Sequence, residues 1–94
     1  MAKKSDIPTF DSFGSGTIAV TSTPAAGPDV RGAIFRLQTA AASDTPTVTI
    51  RTASGSGGTR FTGSSPIVTI LQSNLNQIEF VSDANVTVNY SVEK

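Results

Sequence analysis

The stretch Val86-Thr87-Val88-Asn89-Tyr90-Ser91-Val92 decides how the chain is read. Apolar and polar side chains alternate throughout it. Successive side chains of a strand point to opposite faces, so Val86, Val88, Tyr90 and Val92 share one face and Thr87, Asn89 and Ser91 the other. Ser82-Asp83-Ala84-Asn85 precedes it and reads as a turn, and before that Ile78 and Phe80 alternate with Glu79. The run Ile67-Val68-Thr69-Ile70-Leu71 is short, β-branched and the most apolar in the chain, which predicts a central strand. Between these two strands, apolar residues at 71, 75 and 78 have helical spacing, enough for a single turn.

The period of two continues toward the N-terminus. Val48 and Ile50 alternate with Thr47, Thr49 and Arg51. A strand is expected from Val30 to Thr39, with Ala33, Phe35 and Leu37 on one face and Ile34, Arg36 and Gln38 on the other. Ile18 and Val20 alternate with Thr17, Ala19 and Thr21. Turn chemistry separates the strands at Pro24–Asp29 and Ser43–Pro46. The glycine-rich stretch 53–58 leads to Thr59–Pro66, where a short edge strand is expected around Arg60–Thr62. The fold class is therefore all-β: a small antiparallel β-sandwich or jelly-roll-like barrel of roughly six to eight strands. It occupies residues 16–94, and residues 1–15 form an irregular N-terminal arm carrying Ile7, Pro8, Phe10 and Phe13.

A chain of 94 residues makes one small domain. Such a domain has a marginal core and usually needs disulfides, metals or association. With no Cys and no His, disulfides and the common zinc sites are excluded. Association remains, and a homo-oligomer or a larger assembly is expected. Net charge is zero and no basic stripe exists, so nucleic acid is not an expected partner. No apolar run follows Lys3 and Lys4, so neither a signal peptide nor a membrane span is expected.

The side chains that catalysis needs are also missing. Without His, neither a Ser-His-Asp nor a Cys-His arrangement can form. The lysines stand at 3, 4 and 94, in terminal segments that are poor places for a positioned base. Most of the acids fall in turns or in the arm, and Glu79 is expected to be solvated on its strand. Gly58 and Gly63 have P-loop spacing, but Ser64 stands in the lysine position and a strand follows instead of a helix. No enzyme activity, cofactor or metal is expected.

Candidate interaction residues are Ile7, Phe10 and Phe13 of the arm, which dock on their own domain or on a neighbour, and the pair Arg60-Phe61. The alternative for the pair places Phe61 in the core and leaves Arg60 exposed. Arg36 and Arg51 are either solvated or paired with acids on another subunit.

The order of these segments resembles that of the small β-sandwich proteins of tailed-bacteriophage particles. It is carried by Val30-Arg31-Gly32-Ala33-Ile34-Phe35-Arg36-Leu37, Val48-Thr49-Ile50-Arg51-Thr52-Ala53, Phe61-Thr62-Gly63, Ile67–Leu71, Leu75–Phe80 and Val86–Val92. The resemblance implies a structural virion protein of the capsid decoration or cement type. Such a protein is made in the host cytoplasm, carried on the particle, and bound to the major capsid protein or another virion protein. The alternatives are a glycan-binding module using Tyr90, the Asn side chains and the 53–66 loop, an accessory part of a tail, neck or fibre, and a subunit of a non-viral bacterial assembly.

Overall fold

Alternation becomes burial wherever a strand has one face on the core. In the computed structural model, which describes residues 13–52 and 58–93, eight strands form. They are β1 (Phe13–Val20), β2 (Ala25–Ala26), β3 (Ile34–Thr39), β4 (Val48–Arg51), β5 (Thr59–Phe61), β6 (Val68–Leu71), β7 (Glu79–Ser82) and β8 (Val86–Glu93). A 3-10 turn, Leu75–Gln77, joins β6 to β7 at the site of the expected single helical turn. Among the described residues no helix is long and apolar enough to cross a membrane.

The pairing follows one rule. The chain is folded double between β4 and β5, and its two halves run antiparallel: β4 pairs β5, β3 pairs β6, β2 pairs β7 and β1 pairs β8. Two more antiparallel ladders, β3·β8 and β4·β7, join these nested pairs side by side. The result is two four-stranded sheets, ordered β1-β8-β3-β6 and β2-β7-β4-β5. Nested pairs that alternate between two sheets define the jelly-roll form of the β-sandwich.

The core lies between the sheets and consists of the residues that parity turns inward. The first sheet supplies Val20, Phe35, Leu37, Val86, Val88 and Val92, all buried. The second supplies Val48, Ile50, Phe61 and Phe80, with Ile78 just ahead of β7. Full burial of one such aliphatic or Phe side chain is worth about 1.5–3 kcal/mol. Leu75 closes one end from the 3-10 turn and is fully buried.

Side-chain hydrogen bonds hold the connections. Asn74 caps the 3-10 turn: its Oδ1 accepts from the Asn76 amide at 2.9 Å, and Gln77 Oε1 accepts from the Asn74 amide at 3.2 Å. The same Asn74 reaches the β2–β3 loop, where its Nδ2 donates to Asp29 Oδ1 at 2.7 Å and its Oδ1 accepts from the Val30 amide at 3.2 Å. Asp83 Oδ1 accepts from the Thr47 amide at 2.9 Å, tying the β7–β8 turn to the start of β4.

Several boundaries differ from the sequence reading. β1 begins at Phe13, inside the stretch read as an arm. β3 begins at Ile34 rather than Val30, because Val30 and Arg31 are held by Asn74 in a loop, and Ala33 is exposed. Ala25–Ala26, read as part of a turn, pairs with β7 as a two-residue strand. The largest correction concerns β6. It is an edge strand, bonded to β3 alone, and its residues alternate between half-buried and exposed. A run apolar on both faces implies burial on both, but only the face bearing Val68 and Ile70 meets the core.

Gly63 is required by close approach. A Cβ on Gly63 would lie 2.6 Å from the carbonyl oxygens of Ala41 and Ala42 and 2.7 Å from that of Asp44. Backbone oxygens cannot swing aside as a side-chain tip does. Gly63→Ala is expected to lower the unfolding free energy by about 1–3 kcal/mol, the usual cost of overpacking, as measured by urea denaturation.

Candidate functional site

The parity that fills the core also composes the outer faces. On the first sheet, register places Ser15, Ser91, Arg36 and Thr69 in one row across all four strands. The next row holds Thr17, Asn89 and Gln38, and beyond it Ala19 lies opposite Thr87. On the other side of the first row, Ile34 stands between Glu93 and Leu71. The face is thus a field of hydroxyls and amides that grows apolar toward β6, where Ile67 is 54% and Leu71 73% exposed. A shallow depression of about 140 Å³ on this face is lined by Arg36, Gln38, Ile67, Asn89, Tyr90 and Ser91.

One ion pair crosses this surface. Arg36 Nη1 donates to Glu93 Oε2 at 3.2 Å, with both side chains about two-fifths exposed (42% and 39%). A second pair lies on the other sheet, where Arg51 Nε donates to Glu79 Oε1 at 2.6 Å between directly opposed residues of β4 and β7. Its side chains are only about one-fifth exposed (20% and 19%), so water screens it less. Both arginines therefore find their acids within the chain rather than on another subunit. Glu79, expected in solvent, is instead held against Arg51.

Each acid of the described residues takes part in holding the fold. Glu79 and Glu93 pair with arginines, and Asp29 accepts from Asn74. Asp83 accepts from the Thr47 amide, and Asp44 Oδ2 accepts from the Ala41 amide at 3.0 Å. Among the described residues no three acidic side chains converge on a point that suits a metal ion. Larger depressions lie elsewhere, including one of about 420 Å³ beside Val20, Ala41, Asp44 and Val86. Another, about 640 Å³, is lined by Asp29–Gly32. A third, about 350 Å³, opens between the sheets beside Arg51, Thr59, Ile70 and Ile78.

Of the sequence-selected interaction residues, Ile7 and Phe10 lie outside the described residues. Phe13 opens β1, its backbone opposite Glu93. Phe61 is 2% exposed and belongs to the core, so only Arg60 of that pair presents its side chain to solvent. Tyr90, considered for sugar stacking, lies over Gly16, where a Cβ would come within 2.6 Å of its hydroxyl oxygen. An aromatic ring laid across an edge-strand glycine covers backbone that would otherwise face water. The exposed pair Ile67 and Leu71 escaped sequence reasoning, because their exposure depends on strand order rather than on hydropathy.

No known protein family matches this chain, and neither curated proteins nor solved structures show significant similarity to it. Fold and surface together describe a jelly-roll domain with one neutral, hydrogen-bonding face bordered by an apolar edge.

The two ion pairs are expected to differ in worth. Arg51→Met is expected to destabilise the fold by about 1–3 kcal/mol, as for a charged hydrogen bond with little access to water. Arg36→Met is expected to cost about 1 kcal/mol or less, as for an exposed pair. Parallel urea titrations of the two variants check the order.

Proposed function

We propose that this chain is a structural, non-catalytic virion protein of the capsid decoration or cement type, which lies with the outer face of its first sheet on the shell of a phage head. The observation that carries this reading is the composition of that face. It offers Ser15, Thr17, Gln38, Thr69, Thr87, Asn89 and Ser91 as short donors and acceptors, with one self-neutralised ion pair. Charged residues are depleted at the cores of protein interfaces, and a typical interface carries about ten direct hydrogen bonds, which neutral donors and acceptors can supply. The use of every described acid in holding strands and turns supports a role in assembly over one in acid–base chemistry.

The binding mechanism is additive. One domain of this size offers a modest contact area, but a symmetric shell repeats the contact many times, and linked weak sites sum to a tight coat. Fold alone assigns no partner.

The test is co-sedimentation with phage heads assembled without this protein. The purified chain is expected to bind heads saturably, with a stoichiometry set by the shell's symmetry. The double variant Thr17→Glu/Gln38→Glu adds charge on both sides of Asn89 without touching the core, and is expected to weaken binding about tenfold or more. Its circular dichroism spectrum should be unchanged. Binding to tails or necks but not to heads would move the protein to an accessory role elsewhere on the particle, and binding to neither would remove the virion reading.

A further inference from the structure

The two sheets have four edges, and the two of the second sheet are protected in ordinary ways. β2 is two residues long and lies between Pro24 and Pro28. β5 is three residues long and carries the exposed cation Arg60. β1 carries Gly14 and Gly16, and its outward residues Ser15, Thr17 and Ala19 are small. The fourth edge, β6, is four residues long, follows Pro66 and Ile67, and has no charge, bulge or proline from Val68 to Leu71. It also bears the large hydrophobic residues that are most exposed among those described, Ile67 at 54% and Leu71 at 73%. Proteins usually blunt an edge with charge, proline or shortness, and an edge left open and apolar is a template for another strand.

We infer that β6 is a self-pairing edge, and that its occupant is the β6 of a second copy of this chain, antiparallel across a two-fold axis. The argument is one of register. An added strand must turn its inward side chains toward the core side and its outward side chains toward the outer face, because a slip of one residue reverses every side chain. Val68 and Ile70 face inward, while Ile67, Thr69 and Leu71 face outward. In the allowed register centred on Thr69, Ile67 of each copy lies opposite Leu71 of the other, Val68 lies opposite Ile70, and Thr69 meets Thr69. All four exposed apolar side chains of the pair then become cross-strand neighbours on one face, and the inward pairs are also apolar. Directly opposed apolar and β-branched pairs of this kind stabilise a ladder.

The charges permit this arrangement. Arg36 sits opposite Thr69 on the inner neighbour β3 and is already paired with Glu93, so no like charges oppose each other across the new ladder. Joining the copies would turn two four-stranded sheets into one continuous sheet and cover the open edge of each. The contact is small. A ladder of β6 extended by Ile67 is about 17 Å long, and it buries much less than the roughly 1,200–2,000 Å² of a stable complex. The dimer is therefore weak in dilute solution and fills at high local concentration, as in a repeated assembly. The inference stands on the strand edge alone and does not depend on the virion reading.

The experiment is sedimentation velocity on the full chain across a concentration series to about 1 mM, with two single variants and their mixture. Ile67→Glu sets a carboxylate against Leu71 of an identical copy at both ends of the ladder, and Leu71→Lys sets an ammonium group against Ile67. Each variant alone is expected to dimerise about tenfold or more less tightly than the wild type. In the mixture one end of the ladder brings the new carboxylate opposite the new ammonium group, and the other end keeps Leu71 opposite Ile67. Association is then expected to return to within about threefold of wild type. Both positions are exposed, and circular dichroism checks that each variant is folded. As a second measurement, dilution of the wild type should shift the backbone amide resonances of residues 67–71. A wild-type chain that stays monomeric throughout, whatever else its edge binds, overturns the inference. So do single variants that dimerise like the wild type, a mixture no better than its components, and dilution shifts confined to another edge.

Discussion

The structure depends on antiparallel pairing between segments far apart in the chain. Doubling the polypeptide between β4 and β5 brings β1 to β8, β2 to β7 and β3 to β6, and the buried strand side chains take their places from the register of the ladders in the two sheets. Phe35 and Val92 are directly opposed, as are Ile50 and Phe80, and these pairs lie on the inner faces of the two sheets. A slip of one residue in either ladder would put those rings and aliphatic chains into water and bring Arg36 or Arg51 into the core. Burial makes such a slip costly, because a charge removed from water must be compensated where it lands.

Small size sharpens this constraint. With no cysteine to cross-link and a core of twelve buried apolar residues among those described, the domain relies on its turns and caps to hold the register. Asn74 is the clearest case, because one side chain caps the 3-10 turn and also fastens the loop that leads into β3. Asp83 does the same between the β7–β8 turn and β4. These polar side chains thus serve the topology. What the core and the turns leave over is the surface: a neutral face on the first sheet, and an apolar edge beside it.

Much of the fold was legible because a half-buried strand carries its own signature. Val86–Val92, Val48–Ile50 and Ile78–Phe80 have the period of two, and each turns its apolar set inward. What was not legible is whatever depends on neighbours. β6 has the most apolar sequence yet lies at an edge, because composition does not report strand order. The partners of Arg36 and Arg51 are 57 and 28 residues distant and became visible only with the register. β2 escaped because two alanines between prolines carry no periodic signal. In the pair Arg60-Phe61, parity allowed one side chain outward and one inward, and the structure assigns the ring to the core. Exposure of Ile67 and Leu71, on which the self-pairing edge rests, is likewise a property of topology.

The nested pairing is tested most directly by nuclear Overhauser contacts between backbone protons across the ladders. The account predicts contacts between Ile18 and Val88, between Phe35 and Ile70, and between Ala25 and Phe80, the register partners of β1·β8, β3·β6 and β2·β7. Contacts that instead join each strand to the next in sequence, β1 with β2 and β2 with β3, would describe a meander and contradict it.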